Sequence, residues 1–328
     1  MKVLVGLCLF AGLTGSVAAQ SEGDLLAKRR VFPTLGAGLR ALKQGSGGRL
    51  YILASPTPGL IVYDQDDKQV LSIQSLPLGP KNQQAPIVFG EDCDVSTDGK
   101  IYVADRGTNQ VEVFSAEGKL IRSIPVTSPL SVAVLPDGEV AVSTLREPTL
   151  VMVFDKNGRD VREFGETEAI AERSDLNRYL NSGRLDSDAS GHLYYAFSYL
   201  PEPTVRQFDR QGYGHQDIQY TAIDAMPVAQ AARKEIQRLE QRGDQPKFKK
   251  ILTAIGVDHA NGEVWIALYN TLLHFDKDGN RRATYRIYTP EGARLEAIVI
   301  LVEQDRLLIG NDPLGIYEFD RPDKKLQQ

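Results

Sequence analysis

Acidic and amide side chains follow several hydrophobic runs of this sequence, where their oxygen atoms could bind a metal ion. Calcium prefers such hard oxygen ligands. The candidates for a calcium site are Glu91, Asp94, Asp105, Asn311 and Asp312. They could meet only if separate units of the chain bring them together, and acidic residues beside strands are also common turn formers. Calcium is therefore the alternative prediction, and the first expectation is a protein without a cofactor or bound metal.

The histidines indicate that zinc or serine-triad chemistry is not the function. Zinc lyases and Ser-His-Asp hydrolases need imidazoles that converge on one site. The sequence has four histidines: His192 and His259 fall in tight turns, His215 lies in the turn after a third strand, and His274 lies within a strand. This spacing predicts no convergence. We therefore expect no catalytic residues and a non-catalytic protein.

The N-terminus has the layout of a secretory signal peptide. Lys2 precedes an apolar run over residues 3–13, and Val17-Ala18-Ala19 forms a small-residue cleavage site before Gln20. No other stretch approaches the roughly 18 apolar residues that a membrane-spanning helix needs. We predict removal of residues 1–19 and export of residues 20–328, as one domain without a membrane span, to the periplasm or the exterior.

The net charge disfavours a nucleic-acid-binding function, and the cysteine content argues against a disulfide-bonded protein. The formal net charge of −5 disfavours nucleic acid, whose binding depends on Lys and Arg neutralising phosphates. Of the two cysteines only Cys93 lies beyond the predicted signal peptide, so we expect no intramolecular disulfide. Its place among strand residues predicts a buried apolar role.

Two sequence signatures alternate six times along the chain, and they place the candidate residues on strands. The first is a polar turn followed by a strand: GGRLYILA from Gly47, DGKIYVAD from Asp98, DGEVAVST from Asp137, SGHLYYAF from Ser190, NGEVWIAL from Asn261 and QDRLLIGN from Gln304. The second is a strand that ends in an aromatic residue, at Tyr63, Phe114, Phe154, Phe208, Phe275 and Phe319. Alternating runs broken by Gly, Asp and Asn predict β-hairpins.

Repeated hairpins of this kind predict an all-β fold, a six-bladed β-propeller of four-stranded antiparallel blades. A small sheet with two apolar faces must pack on its neighbours, and a ring buries every such face. The sixth unit lacks a fourth strand, so we predict that residues 28–34 complete the last blade and close the ring. The segment 223–243 predicts a helical insertion between blades 4 and 5, because Pro227 and Gly243 flank an apolar face. Val228, Ala232, Ile236 and Leu239 form that face.

Residues 94–124 resemble an NHL repeat, the propeller repeat of many bacterial exported proteins. Asp105, Arg106 and Asn109 match the signature of that family, in which Ala-Asp is followed by Asn. The resemblance implies a six-bladed propeller over nearly the whole mature chain. Six-bladed calcium lactonases of the gluconolactonase type imply the alternative function, a lactonase or esterase with the metal at the central channel.

Antiparallel order predicts that the two ends of the ring differ. Tight turns such as Asp98-Gly99 share one face, while the longer loops and the connections between blades share the other. Binding usually resides in loops on a rigid scaffold. We predict that the loop-rich face binds a peptide, protein or carbohydrate, and that the protein is a monomer. The predicted contacts are Arg106, Asn109, Arg146, Tyr199, Tyr269 and Asn311, with Arg184 and Glu296 near the channel mouth.

Overall fold

The computed structural model describes residues 21–32, 35, 37–55, 58–75, 86–145, 148–221, 226–243 and 248–325. Within these residues six β-sheets form a closed ring, because the first strand of each sheet lies beside the first strand of the next. This arrangement confirms the predicted six-bladed propeller. We call the end of the ring that carries the tight turns the tight-turn face and the opposite end the loop face.

The first strands of the chain belong to the last two blades. They are β1 (Ser21–Leu26) and β2 (Arg29–Val31). Blade 1 contains β3 (Leu39–Gln44), β4 (Leu50–Ala54), β5 (Gly59–Tyr63) and β6 (Gln69–Gln74). Blade 2 contains β7 (Gly90–Val95), β8 (Ile101–Asp105), β9 (Gln110–Phe114) and β10 (Leu120–Pro125). Blade 3 contains β11 (Pro129–Val134), β12 (Val140–Thr144), β13 (Thr149–Phe154) and β14 (Asp160–Glu166).

The remaining blades follow the same plan with additions. Blade 4 contains β15 (Gly183–Ser187), β16 (Leu193–Phe197), β17 (Thr204–Phe208) and β18 (Gly214–Gln219). Blade 5 contains β19 (Ala254–Val257), β20 (Val264–Leu268), β21 (Thr271–Phe275) and β22 (Arg281–Tyr288). Blade 6 contains β23 (Val299–Val302), β24 (Arg306–Asn311) and β25 (Gly315–Asp320). The helices are α1 (Ser174–Leu180), α2 (Met226–Arg242) and α3 (Pro322–Lys325), and α2 lies between blades 4 and 5 in the chain.

Burial explains why these segments form strands. The second strand of a blade is covered on both faces, and every residue of β8 is buried. The outer strand of a blade is largely exposed, as in β10, where Ile124 is buried and most of the neighbouring residues are exposed. Glycine at a positive φ allows the tight turns, as at Gly99 (φ 81°), whose amide donates to the Ser96 carbonyl at 2.9 Å. The hydrophobic faces therefore pack blade against blade around the ring.

The N-terminal segment closes the ring as predicted. Strand β2 pairs antiparallel with β25 and supplies the fourth strand of blade 6. The Arg29 guanidinium donates to Glu318 Oε2 at 2.9 Å, beside this pairing. Strand β1 was not predicted, and it pairs in parallel with β22 as a fifth strand of blade 5. Its sequence SEGDLL has no alternating hydrophobic pattern, so its strand structure arises from pairing with an existing edge.

The helix α2 packs on α1 through Ile236 and Leu239, which contact Leu176 and Leu180. The prediction that Val228 belongs to the buried face is wrong, because it is 40 % exposed and Ala229 is buried instead. In the described part of the chain no helix combines the length and apolar character that crossing a bilayer requires.

The prediction that Cys93 is buried is confirmed. Cys93 has no exposed surface. Trp265 is also fully buried, and its ring stacks on His274 with centroids 4.0 Å apart and an interplanar angle of 8°.

Substitution of Val31 with Asp should destabilise the protein because it puts an unpaired charge into blade 6. Val31 is 3 % exposed. We expect the free energy of unfolding to fall by about 3 kcal/mol, measured by urea denaturation. Leu26→Asp is the matched control, because Leu26 is 60 % exposed on β1, and its effect should stay within about 0.5 kcal/mol. Equal losses in both variants would contradict closure through β2.

Candidate functional site

Three carboxylates on the inner strands connect neighbouring blades. One oxygen of each accepts the amide of the next residue, and the other accepts an amide from the inner strand of the following blade. Asp94 accepts from Val95 and Val134 at 2.8 and 2.7 Å. Asp186 accepts from Ser187 and Val257 at 3.1 and 2.9 Å.

Asp92 repeats this pattern, with its amide contacts to Cys93 and Val132 at 2.9 and 3.4 Å. The Ser131 hydroxyl also donates to it. An inner strand has a free edge toward the channel, so these bonds satisfy amides that no strand pairs.

Cations cross the channel between these carboxylates. Lys43 of β3 bonds Asp186 of β15 at 2.7 Å. Arg184 of β15 extends Nη1 to the Glu91 carbonyl at 2.9 Å and lies 3.5 Å from Asp92 Oδ1. Blades 1, 2 and 4 are thereby joined through the middle of the ring.

The channel network shifts the pKa values of its members. Burial raises the pKa of Asp94 from the usual 3.8 to about 6, against the opposing effect of Lys43. Burial likewise raises the pKa of Asp92, against Arg184 and Lys43. For Lys43, burial acts to lower the pKa, but the nearby Asp186, Asp94 and Asp92 outweigh it and raise the pKa. Lys43 therefore stays charged, while Asp94 can gain a proton at mildly acidic pH.

A second cluster of cations surrounds the channel mouth on the loop face. The guanidiniums of Arg40 and Arg106 lie over the ring of Phe89, at 5.2 and 5.0 Å from its centroid. Arg106 Nε also bonds Glu91 at 2.7 Å. Arg40 Nε is buried and finds no hydrogen-bond partner among the described residues. A buried donor of this kind can bind an incoming acceptor without losing an existing bond.

Lys250 and Arg184 complete this cluster, which we call the cationic mouth (Arg40, Arg106, Arg184 and Lys250). Repulsion by Arg184, together with burial, lowers the pKa of Lys250 to about 8. Arg40 contributes to the lowering, and Glu91 opposes it. Four cations thus face the carboxylates of Glu91 and Asp92, and an excess of positive charge remains.

Aromatic side chains lie beside the cationic mouth. Tyr199, in the loop after β16, packs on Tyr179 of α1 with ring centroids 4.7 Å apart. Burial raises the pKa of Tyr199, and Arg184 and Glu91 both act on it electrostatically. Tyr199 therefore stays protonated and can offer a hydroxyl next to the charged groups. Of the predicted contacts, the structure brings Arg106, Arg184 and Tyr199 together.

Three other predicted contacts form a separate group between blades 5 and 6. The Asn311 side-chain amide donates to the Glu296 carbonyl at 2.5 Å. The Ala297 amide donates to the Tyr269 carbonyl at 2.9 Å. Burial raises the pKa of the Tyr269 hydroxyl, and the charge of Glu296 raises it further. Tyr269 also lines a cavity of about 670 Å³ walled by β1, β22 and α2.

Asn109 and Arg146 are the remaining predicted contacts. Asn109 has a positive φ of 56°, and its Oδ1 accepts the Ser128 amide at 2.9 Å, which is a turn-forming role. Arg146 lies outside the described residues.

The carboxylates proposed for calcium already have other partners. Asp105 is fully buried and accepts the amides of Val88, Phe89 and Gly107 at 2.7–2.9 Å. Asp312 Oδ1 accepts the Gly38 amide at 2.9 Å.

The set Glu91, Asp94, Asp105, Asn311 and Asp312 therefore serves loops, ion pairs and blade contacts. Within the described residues, one group of three carboxylate or imidazole ligands lies within 4.8 Å, and it consists of Glu263, His274 and Asp323. Arg321 contacts both carboxylates of that group at 3.5 and 2.6 Å, so the group already has an internal cation.

The tight-turn face has an open centre, although its turns are short. A cavity of about 480 Å³ lies there, and every blade contributes to its lining. Lys43, Asp94 and Asp186 form its polar floor, and residues such as Val134 and Val302 form apolar walls. The turns are short, but they surround the channel and do not cover it.

Three of the histidines share one cavity, although among the described residues their ring nitrogens do not form a ligand group within 4.8 Å. His192, His215 and His259 line one cavity of about 290 Å³ between blades 4 and 5. The sequence separates them, but turns of neighbouring blades on one face come together when the ring forms. The remaining histidine, His274, is buried beside Trp265.

Comparison with known proteins gives the fold. A streptogramin B lyase structure matches with a TM-score of 0.56 and 11 % identity, covering 90 % of this chain and 86 % of that one. Virginiamycin B lyase from Staphylococcus aureus, a catalytically inactive variant with quinupristin, matches with a TM-score of 0.53 and 11 % identity, over 88 % and 82 %. A protein of unknown function from Bacteroides caccae matches with a TM-score of 0.53 and 12 % identity, over 83 % and 89 %.

No family model matches the sequence, and no curated protein matches it. At these identities the solved structures are similar to this chain in architecture alone.

Asp94 should make stability depend on pH. Because its folded pKa is about 6, above roughly 3.9 for an unfolded Asp, the folded state holds a proton that the unfolded state releases between these values. The contribution of this group is therefore present at low pH and is lost as pH rises to about 6. The free energy of unfolding of the wild type minus that of Asp94→Asn should fall as the pH rises from roughly 3.9 to about 6, and should be constant at higher pH.

Urea denaturation at several pH values between about 4 and 7 measures this difference. Glu117→Gln, in an exposed turn, is the control and should give a flat difference. A flat difference for Asp94→Asn would contradict the raised pKa.

Proposed function

We propose that this chain is an exported, non-catalytic propeller that binds an anionic peptide, protein or carbohydrate at the cationic mouth of its loop face. Export rests on the signal-peptide layout of residues 1–19. The observation that carries the binding proposal is the gathering of four cations around Glu91, on a protein with a net charge of −5.

Electrostatics favour an anionic ligand at this position. Repulsion by Arg184, together with burial and a smaller repulsion by Arg40, lowers the pKa of Lys250 to about 8. A bound carboxylate, sulfate or phosphate would relieve this repulsion and restore full protonation of Lys250. A concave site with low-dielectric walls also concentrates the field and attracts such ligands.

Groups around the cationic mouth would also orient a bound ligand. Arg40 has a buried Nε that an acceptor could use, and Arg106 is 42 % exposed beside it. Phe89 keeps both guanidiniums in place through its ring, so less side-chain freedom is lost when a ligand binds. Tyr199 supplies a neutral hydroxyl at the same mouth.

Catalytic alternatives have less support. The calcium-dependent lactonase would use Glu91, Asp94, Asp105, Asn311 and Asp312, whose side-chain oxygens already accept backbone amides or form an ion pair. The similar solved lyases share about a tenth of their residues with this chain, and a shared propeller supports many unrelated functions.

Binding of an acidic probe tests the proposal. We expect a fluorescent hexaglutamate peptide or an oligogalacturonate to bind the mature protein, measured by anisotropy at low salt. Lys250→Met should weaken the affinity by about tenfold, because it removes a charge from a partly desolvated anion site. Arg40→Gln should have a similar effect. Lys277→Met is the matched control, because this lysine is 70 % exposed on the tight-turn face.

Loss of affinity in the control as large as in Lys250→Met would show nonspecific attraction and contradict the site. Equal affinity for a neutral oligosaccharide would contradict the requirement for negative charge.

The same affinity should fall as pH rises through about 8, because Lys250 then loses its proton. The decrease should be absent in Lys250→Met, measured between pH 6.5 and 9. A decrease of equal size in that variant would assign the titration to another group.

A further inference from the structure

The geometry points to a second site, for a divalent transition-metal ion such as Zn²⁺, Ni²⁺ or Cu²⁺, on the tight-turn face between blades 4 and 5. Its ligands are the imidazoles of His192, His215 and His259, which are three of the four histidines of the chain and line one cavity of about 290 Å³. This site lies on the opposite face from the cationic mouth and does not depend on the proposed function.

The orientation of His192 is fixed by a buried carboxylate. Asp188 is 4 % exposed, and its Oδ2 lies 2.9 Å from His192 Nδ1 and 3.1 Å from the Tyr194 hydroxyl. Its other oxygen accepts the amides of Ser190 and His192 at 2.9 and 3.0 Å. A carboxylate with these contacts requires the proton of His192 on Nδ1, so Nε2 carries the free lone pair. Histidines that bind metals commonly have this carboxylate contact behind them.

His259 has the same arrangement with a carbonyl. Its Nδ1 lies 3.4 Å from the Ser187 carbonyl oxygen, which can only accept. The proton is therefore on Nδ1 when this contact forms, and Nε2 is again the nitrogen with a lone pair. Two imidazoles from neighbouring blades are thus held in the tautomer that binds metal through Nε2.

His215 supplies the third imidazole. Its ring faces that of His192, with centroids 6.1 Å apart and an interplanar angle of 27°. His215 and His259 are exposed. The ring nitrogens of the three histidines do not yet form a ligand group within 4.8 Å among the described residues. Binding therefore requires these two exposed side chains to rotate toward His192, and His259 then gives up its 3.4 Å contact with the Ser187 carbonyl.

The charges around the cavity favour a cation, and the imidazoles favour a transition metal. Asp188, Asp278 and Lys277 are its charged lining residues, and Lys277 lies 3.8 Å from Asp278. Two carboxylates against one ammonium leave a negative excess. Imidazole ligands select zinc, copper or nickel, whereas calcium and magnesium need oxygen ligands that the three histidines do not provide.

Titration of Zn²⁺ into the untagged mature protein at neutral pH tests this site by calorimetry. We expect one ion per chain, and weakening of the affinity by about tenfold or more when His192→Ala or His215→Ala removes a ligand. Long-range ¹H–¹⁵N spectra should show the Nε2 signals of His192 and His259 shifting, while those of His274 stay unchanged as an internal control. Ca²⁺ should not compete.

Protection from diethylpyrocarbonate gives a second measurement on the unmutated protein, in which Zn²⁺ should protect His192 and His215. The proposal is overturned if no ion binds, if His192→Ala changes the affinity less than about twofold, or if the ion shifts His274. The last result would place the ion at Glu263, His274 and Asp323 instead.

Discussion

The bond between an inner-strand carboxylate and an amide of the next blade is the interaction on which the centre of this propeller depends. Apolar packing holds blades face to face, but it does not satisfy the amides that each inner strand turns toward the channel. Asp92, Asp94 and Asp186 meet this need between blades 2 and 3 and between blades 4 and 5. A buried carboxylate is costly unless it is paired, so Lys43 and Arg184 follow as a consequence.

This network separates charge along the channel. The inner strands start at the loop face and run toward the tight turns, so Arg40 lies nearer the loop face than Lys43 on the same strand. Arg184 is drawn toward Asp92 and Glu91, where Lys250 and Arg106 add further positive charge. The opposite end keeps Asp94 and Asp186 around a single lysine. The excess of positive charge at the loop face is therefore a consequence of carboxylates that pair with backbone amides of the inner strands.

Sequence reasoning was sufficient for elements whose signal is local. Alternation predicted the blade strands, and the missing fourth strand of the sixth unit predicted the pairing of β2 with β25. It did not predict β1, because Ser21–Leu26 has no strand pattern and depends on the edge of β22. Arg184 and Tyr199 were predicted as contacts, whereas Arg40 and Lys250, which lie in the same cluster, were not. Their roles depend on which side chains face the channel once the ring is closed.

The histidines illustrate the same limit in a different way. The sequence placed His192, His215 and His259 in turns, with nothing to connect them. Pairing within blade 4 brings His192 and His215 together, and the circular order of the blades adds His259 of blade 5 to the same cavity. Asp105 differs from these histidines, because the sequence suggested that it could bind a ligand. In the structure its carboxylate accepts three loop amides instead.

Pairing of β2 with β25 also has a kinetic meaning. Arg29 and Glu318 meet across 289 positions of sequence. A contact of such long range carries a large loop-closure entropy and cannot form until nearly the whole polypeptide is available. A growing chain must therefore wait with an open sixth sheet, and a chaperone that shields β25 during that interval would protect the protein from edge-to-edge aggregation.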